Sequence, residues 1–70
     1  MSTAKIIEIT SESEKGYEDA VNQGINAASK TVDNIRGAWV KDHEVLVGAD
    51  DERAHRVHMK ITFIVDGKKS

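Results

Sequence analysis

The chain contains no cysteine and no proline, only three aromatic residues, and no long hydrophobic run. Without cysteine it forms neither disulfides nor thiolate zinc sites, and thiol catalysis is excluded. The apolar runs are too short to span a membrane, and the N-terminus MSTAKIIEIT lacks the basic-then-apolar order of a signal peptide. We therefore expect a cytoplasmic protein that does not enter a membrane.

The size and charge of the chain limit its partners. It has 70 residues and a formal net charge of −2, from 10 Lys and Arg against 12 Asp and Glu, so no excess of positive charge favours nucleic acid. A domain this short buries only about 60% of the surface that its unfolded chain exposes. Small domains without disulfides often gain stability by association. We expect one domain over residues 1–70 that associates with copies of itself.

Hydrophobic spacing predicts the element order β-α-β-β. The expected elements are a strand over about 4–10, a helix over about 13–33, and strands over about 35–47 and 53–65. One stripe of the helix is apolar and consists of Tyr17, Ala20, Val21, Ile25, Ala28 and Val32. The fold class is therefore α+β, with a three-stranded antiparallel sheet wrapped around one helix.

Capping residues indicate where this helix begins. Ser11 followed by Glu14 fits a capping box, and Ser13 is an alternative N-cap. Gly24 lies beside the apolar stripe and costs about 1 kcal/mol relative to alanine, unless another part of the chain must approach closely there.

The two long strands differ in regularity. The last strand alternates, with one face formed by His55, Val57, Met59, Ile61, Phe63 and Val65. In the strand before it, Ala38 and Val40 have even numbers, whereas Val45 and Val47 have odd ones. Keeping all four on the core side requires one extra residue, so we predict a β-bulge near Asp42–His43. Apolar residues left on the outer face, namely Trp39, Leu46 and Ile64, favour contact with another chain.

These segments together resemble a known family. IIEITSES at the start, AVNQGINAASKTVDNIRGAWV in the middle and HRVHMKITFIVDG at the end resemble the dodecins, from about Lys5 to Gly67. The resemblance implies a hollow homododecamer with three-fold and two-fold contacts between copies. It also implies a storage protein that sequesters a small aromatic cofactor, FMN or riboflavin, without turnover.

Two positions depart from the flavin-binding members. In those members the strand after the helix opens with a tryptophan that stacks on the isoalloxazine, and a glutamine on the last strand hydrogen-bonds its edge. The matching residues here are Gly37 and Arg56, and the only tryptophan is Trp39. The chain thus resembles members that lack the stacking tryptophan. The alternative function is a flavin-free shell with a structural role, or with ions bound at its symmetry axes.

The residues themselves suggest a binding face. Gly37 and Trp39 are two positions apart and share one side of a strand, and Arg56 and His58 lie on the outer side of the next strand. Trp39 offers a flat surface for stacking, and Arg56, with Lys60 nearby, offers a cation for phosphate. These residues form the candidate cofactor site. The alternative for Trp39 is an anchor in a protein interface.

The remaining polar residues have ordinary explanations. If the two long strands pair antiparallel so that the numbers of opposing residues sum to about 100, Asp42 lies opposite His58 and Glu44 opposite Arg56. This register predicts cross-strand ion pairs. His55 falls on the apolar face, where a hydrogen-bonded histidine is expected. No metal site is expected within one subunit, although a divalent cation bound weakly at a symmetry axis remains an alternative.

Nothing in the sequence indicates catalysis. There is no GxSxG motif and no phosphate-binding glycine loop. The acidic turn at residues 50–52 lacks the spacing of an EF-hand, although copies of it around an axis can attract Ca²⁺ or Mg²⁺ weakly. We expect no enzymatic activity and no catalytic residues.

Overall fold

The computed structural model describes residues 3–65, so the domain bounds expected at residues 1 and 70, and the end of the resemblance at Gly67, lie outside the described residues. The elements are β1 (Thr3–Ser13), α1 (Tyr17–Ala28), β2 (Ile35–Val47) and β3 (Arg53–Val65). The sheet is antiparallel with the strand order β1-β3-β2. The predicted α+β class and β-α-β-β order are confirmed.

β3 occupies the centre of the sheet, and one of its faces is apolar from Val57 to Val65. Val57, Met59 and Ile61 on this face have no solvent exposure. Together with α1, they form the core. We call the side of the sheet that packs on α1 the inner face and the opposite side the outer face.

β2 reaches the same core only through irregular pairing. Its register against β3 shifts between Val40 and Asp42, which leaves Lys41 as the extra residue beside the predicted bulge position. The predicted bulge is therefore confirmed. A second shift, which sequence reasoning missed, lies between Ile35 and Gly37. The bulge turns His43 and Val45 onto the inner face.

The predicted start of the helix is wrong because β1 is longer than expected. The predicted strand ends near residue 10, but the ladder with β3 continues through Ser11 to Ser13. Ser11 and Glu14 therefore do not form a capping box. α1 begins after Gly16, which has a φ of 153° and makes no side-chain cap. Glycine adopts this backbone conformation without steric cost.

Ser13 nevertheless stabilises the first turn of α1 from the end of β1. Its buried hydroxyl donates a hydrogen bond to Asp19 Oδ2 and accepts one from the backbone N–H of Lys15 at 2.9 Å. The side chain thus connects the strand to the helix rather than capping the helix.

The helix also ends earlier than predicted, at Ala28 rather than near residue 33. The hydroxyls of Ser29 and Thr31 donate to the backbone carbonyls of Asn26 and Ala28 at 2.7 and 3.1 Å. These side-chain hydrogen bonds compete with the backbone hydrogen bonds that would continue the helix. Asn34 then adopts a φ of 63°, which directs the chain into β2.

The helix packs tightly against β1 and β3 at Gly24. A Cβ atom added there would overlap Met59 Cε and lie 3.1 Å from Ser11 Cβ. The glycine therefore allows close approach of the helix to the sheet. Ala20 and Ala28 of the predicted stripe are buried, and Val21 and Ile25 are half-buried.

Both faces of the sheet keep apolar surface exposed in a single chain. Val45 and Val47 on the inner face are 46% and 64% exposed, because α1 lies mainly over β1 and β3. On the outer face, Ile6 and Trp39 are 58% and 65% exposed. Such surface is typical of chains that associate.

Candidate functional site

The predicted site residues all lie on the outer face of the sheet. The ladder places three cross-strand rows there, which are Glu8–Lys60–Trp39, Thr10–His58–Asp42 and Glu12–Arg56–Glu44. Gly37 continues the face next to Thr62. The predicted register of Asp42 against His58 and of Glu44 against Arg56 is confirmed. Glu44 and Arg56 also form the predicted ion pair, whereas the ring of His58 contacts Thr10 rather than Asp42.

Trp39 is the largest apolar feature of this face. Its register partner Lys60 holds its ammonium group 5.4 Å from the centroid of the indole ring, which is a cation–π contact. Lys41, the residue at the bulge, reaches across to Glu8 with an Nζ–Oε1 distance of 3.4 Å. The indole therefore has one cation over its ring and keeps most of its surface exposed.

Gly37 leaves open space beside the indole. A Cβ atom added at this position would meet no atom within 4 Å, and its φ lies outside the left-handed region. Neither packing nor backbone conformation requires glycine here. A side chain larger than that of glycine therefore fits at this position in a single chain.

Arg56 is held between two carboxylates. Its Nε donates to Glu12 Oε2 at 2.8 Å, its Nη2 lies 2.7 Å from the same oxygen, and its Nη1 lies 3.6 Å from Glu44 Oε1. Sequence reasoning found Glu44 but missed Glu12, because it ended the first strand before that residue. The continued alternation of Glu8, Thr10 and Glu12 was the signal.

Trp39 and Arg56 share the outer face but belong to different rows. Their rows meet β3 at Lys60 and Arg56, which are roughly 13 Å apart along the strand. Between them lies His58, whose Nδ1 is 3.0 Å from Thr10 Oγ1. The pocket pairing the indole with Arg56 that the sequence suggests is thus an extended face within one chain.

His55 lies on the inner face with a hydrogen bond, as expected, and its partner there is His43, which the sequence did not reveal. His43 Nε2 lies 2.9 Å from His55 Nδ1, and the ring of Tyr17 lies against His43 with a centroid distance of 4.6 Å. The bulge produces this pairing, because it places His43 on the inner face.

Asp19 is the ionisable group most affected by its surroundings. Hydrogen bonds from Ser13, and then from Gln23, hold the pKa of Asp19 below its ordinary value of 3.8 because they favour the charged carboxylate. These contacts fix the first turn of α1 and lie away from the outer face.

Two other features carry no predicted site residue. A cleft of about 480 Å³ lies between α1 and β1, around Gly24 and Gln23. In the acidic turn, Asp51 has a φ of 63° and its carboxylate lies 3.4 Å from Arg53 Nη2. Within residues 3–65, no group of three or more His, Cys, Asp or Glu converges in a way that could hold a metal ion.

Fold and site together define a small β-α-β-β protein with an exposed aromatic face on an open sheet. The family model for dodecin matches residues 3–66, and the chain belongs to the dodecin family. The search of curated proteins gave no match. No helix in the described part of the chain is long and apolar enough to cross a membrane.

Solved structures show the same fold. A dodecin from Streptomyces davaonensis is 28% identical, with a TM-score of 0.86 over 93% of this chain and 96% of that one. A Thermus thermophilus protein is 22% identical, with a TM-score of 0.88 over 97% and 100%. The calcium dodecin of Mycobacterium tuberculosis, which has a calcium-binding site, is 24% identical, with a TM-score of 0.84 over 97% of each chain.

Proposed function

We propose that the chain assembles into a hollow homododecamer in the cytoplasm and binds a flavin, FMN or riboflavin, against Trp39 without turnover. Membership of the dodecin family supports a small-ligand-binding assembly. The observation that carries the flavin proposal is the exposed indole on the outer face, which has the Lys60 ammonium over its ring and open space at Gly37 on the same strand. A planar heterocycle stacks on such a surface, at roughly 1–3 kcal/mol for a nucleobase.

Assembly follows from the apolar surface that one chain cannot cover. Ile6 and Val47 are exposed on opposite faces, so contacts with copies on both sides would bury them. Twelve copies have a mass of about 92 kDa, against 7.7 kDa for one chain. Sedimentation tests this directly, because a monomer at micromolar concentration would contradict the proposed assembly.

The phosphate of FMN has a candidate partner on the same face. Lys60 lies next to the indole, whereas the guanidinium of Arg56 is already engaged by Glu12. We therefore expect Lys60 to contribute the main cationic contact. FMN should bind more tightly than riboflavin, and Lys60→Gln should reduce that difference more than Arg56→Gln does.

The test is a titration of the protein with FMN and with riboflavin, followed by flavin fluorescence. Stacking on Trp39 predicts saturable quenching that weakens in Trp39→Ala and persists in Tyr17→Leu, which removes an aromatic ring from the helix side of the sheet. Gly37→Trp combined with Arg56→Gln restores both residues that the family resemblance implies. This double variant should bind more tightly than the natural chain.

A second candidate function is a flavin-free shell with a structural role or with ions at its symmetry axes. The contacts of Arg56 with Glu12 and Glu44 favour it, because two carboxylates compete with an anionic ligand for this cation. The same titration distinguishes the two functions. Absence of quenching in the natural chain at tens of micromolar, with quenching in the Gly37→Trp/Arg56→Gln variant, would favour the empty shell.

A further inference from the structure

The paired histidines on the inner face form a cluster that the proposed function does not use. His43 and His55 are diagonal neighbours, since His43 pairs with Val57 and Val45 pairs with His55. Their rings stack with a centroid distance of 5.2 Å and an interplanar angle of 25°. His43 is exposed and His55 half-buried, so the pair is accessible from solvent in a single chain.

The separation of the two ring nitrogens matches that of two ligands on one metal ion. His43 Nε2 and His55 Nδ1 lie 2.9 Å apart. With metal–nitrogen bonds of about 2.0–2.1 Å, two nitrogens at a right angle lie about 2.9 Å apart, and two at a tetrahedral angle about 3.3 Å apart. An ion bound to both nitrogens replaces the hydrogen bond between the two rings, and each ring turns so that its nitrogen lone pair points at the ion.

We propose that His43 and His55 form a two-histidine site for a divalent transition metal ion such as Zn²⁺ or Ni²⁺. Imidazole nitrogen suits these ions, whereas Ca²⁺ and Mg²⁺ require oxygen ligands. No third His, Cys, Asp or Glu of the described residues 3–65 converges on the pair, so water completes the coordination and the ion exchanges readily.

The surrounding residues hold the pair in place without competing for the ion. The ring of Tyr17 lies against His43 at 4.6 Å and covers one side of it. Ser13 is the register partner of His55, and its hydroxyl is engaged by the carboxylate of Asp19. Because the site lies on the inner face and Trp39 on the outer face, metal binding and flavin binding should be independent.

Calorimetric titration of the assembled protein with Zn²⁺ and Ni²⁺ tests the site. His43→Gln and His55→Gln should each weaken binding at least about tenfold, since each removes one of two ligands. His58→Gln is the matched control, because this histidine lies on the opposite face, and it should leave the affinity unchanged. Unchanged affinity in both inner-face variants, or loss of binding in His58→Gln, would overturn the proposal.

A second measurement needs no substitution. Crystals of the unmodified protein soaked in Zn²⁺ should show an anomalous peak about 2.0–2.1 Å from both His43 Nε2 and His55 Nδ1. Peaks found only elsewhere, or none, would contradict the site. Ca²⁺ added in excess should not displace the Zn²⁺ peak, and displacement would show that oxygen ligands hold the ion instead.

Discussion

Replacement of Gly24 by alanine tests whether close packing or helix propensity dominates at this position. Propensity alone favours alanine by about 1 kcal/mol in a helix interior. The structure opposes this gain, because the new methyl group overlaps Met59 Cε and lies 3.1 Å from Ser11 Cβ and 3.3 Å from Ile9 Cδ1. Overpacking of this kind costs about 1–3 kcal/mol. We expect Gly24→Ala to destabilise the protein by about 1 kcal/mol.

The control is the same substitution at Gly37, where the methyl group meets nothing within 4 Å. Gly37→Ala should stabilise by about 0.4–1 kcal/mol, because it restricts the unfolded chain. Met59→Leu removes the overlapping Cε atom. In the Gly24→Ala background, Met59→Leu should therefore lower the free energy of unfolding by less than it does in the natural chain. Urea unfolding at a fixed protomer concentration measures the free energy of unfolding of each variant and of the natural chain. If Gly24→Ala raised the free energy of unfolding by about 1 kcal/mol, as helix propensity alone predicts, the packing argument would be refuted.

Three further predictions concern the first turn of α1, the outer face and the assembly. The lowered pKa of Asp19 means that its contact with Ser13 stabilises the fold above the ordinary pKa of 3.8 and loses this contribution as pH falls through the lower folded value. The stability difference between the natural chain and Ser13→Ala should therefore shrink in acid, and a pH-independent difference in urea titrations would contradict this linkage. Glu12→Gln should reduce stability by no more than about 1 kcal/mol, because the ion pair is partly exposed, and should raise affinity for FMN more than for riboflavin by releasing Arg56. Equal changes for the two flavins would argue against a phosphate contact. Val47→Lys should reduce the assembled fraction in sedimentation, since a buried valine contributes about 1.5–3 kcal/mol, and an unchanged profile would mean that copies do not cover this residue.

The candidate site was only partly predictable from the sequence. The period of two along β3 placed Arg56 and His58 on the outer face, and the same rule placed Trp39 beside Gly37. Their contacts were not predictable, since the second carboxylate at Arg56 comes from Glu12 on β1. The alternation along β1 indicates the face on which Glu12 lies, but it does not show that Glu12 lies opposite Arg56, because β1 and β3 are adjacent only in the folded sheet.

The sequence by itself determined the order of the elements, the faces of β3 and the need for a bulge in β2, because these follow from the local period of apolar residues. Tertiary structure decided where α1 begins, since the ladder between β1 and β3 extends through residues that also suit a helix N-terminus. It also decided that Met59 packs directly against Gly24 and that the bulge places His43 in contact with His55. Such contacts join residues that are distant in sequence, and only packing selects them.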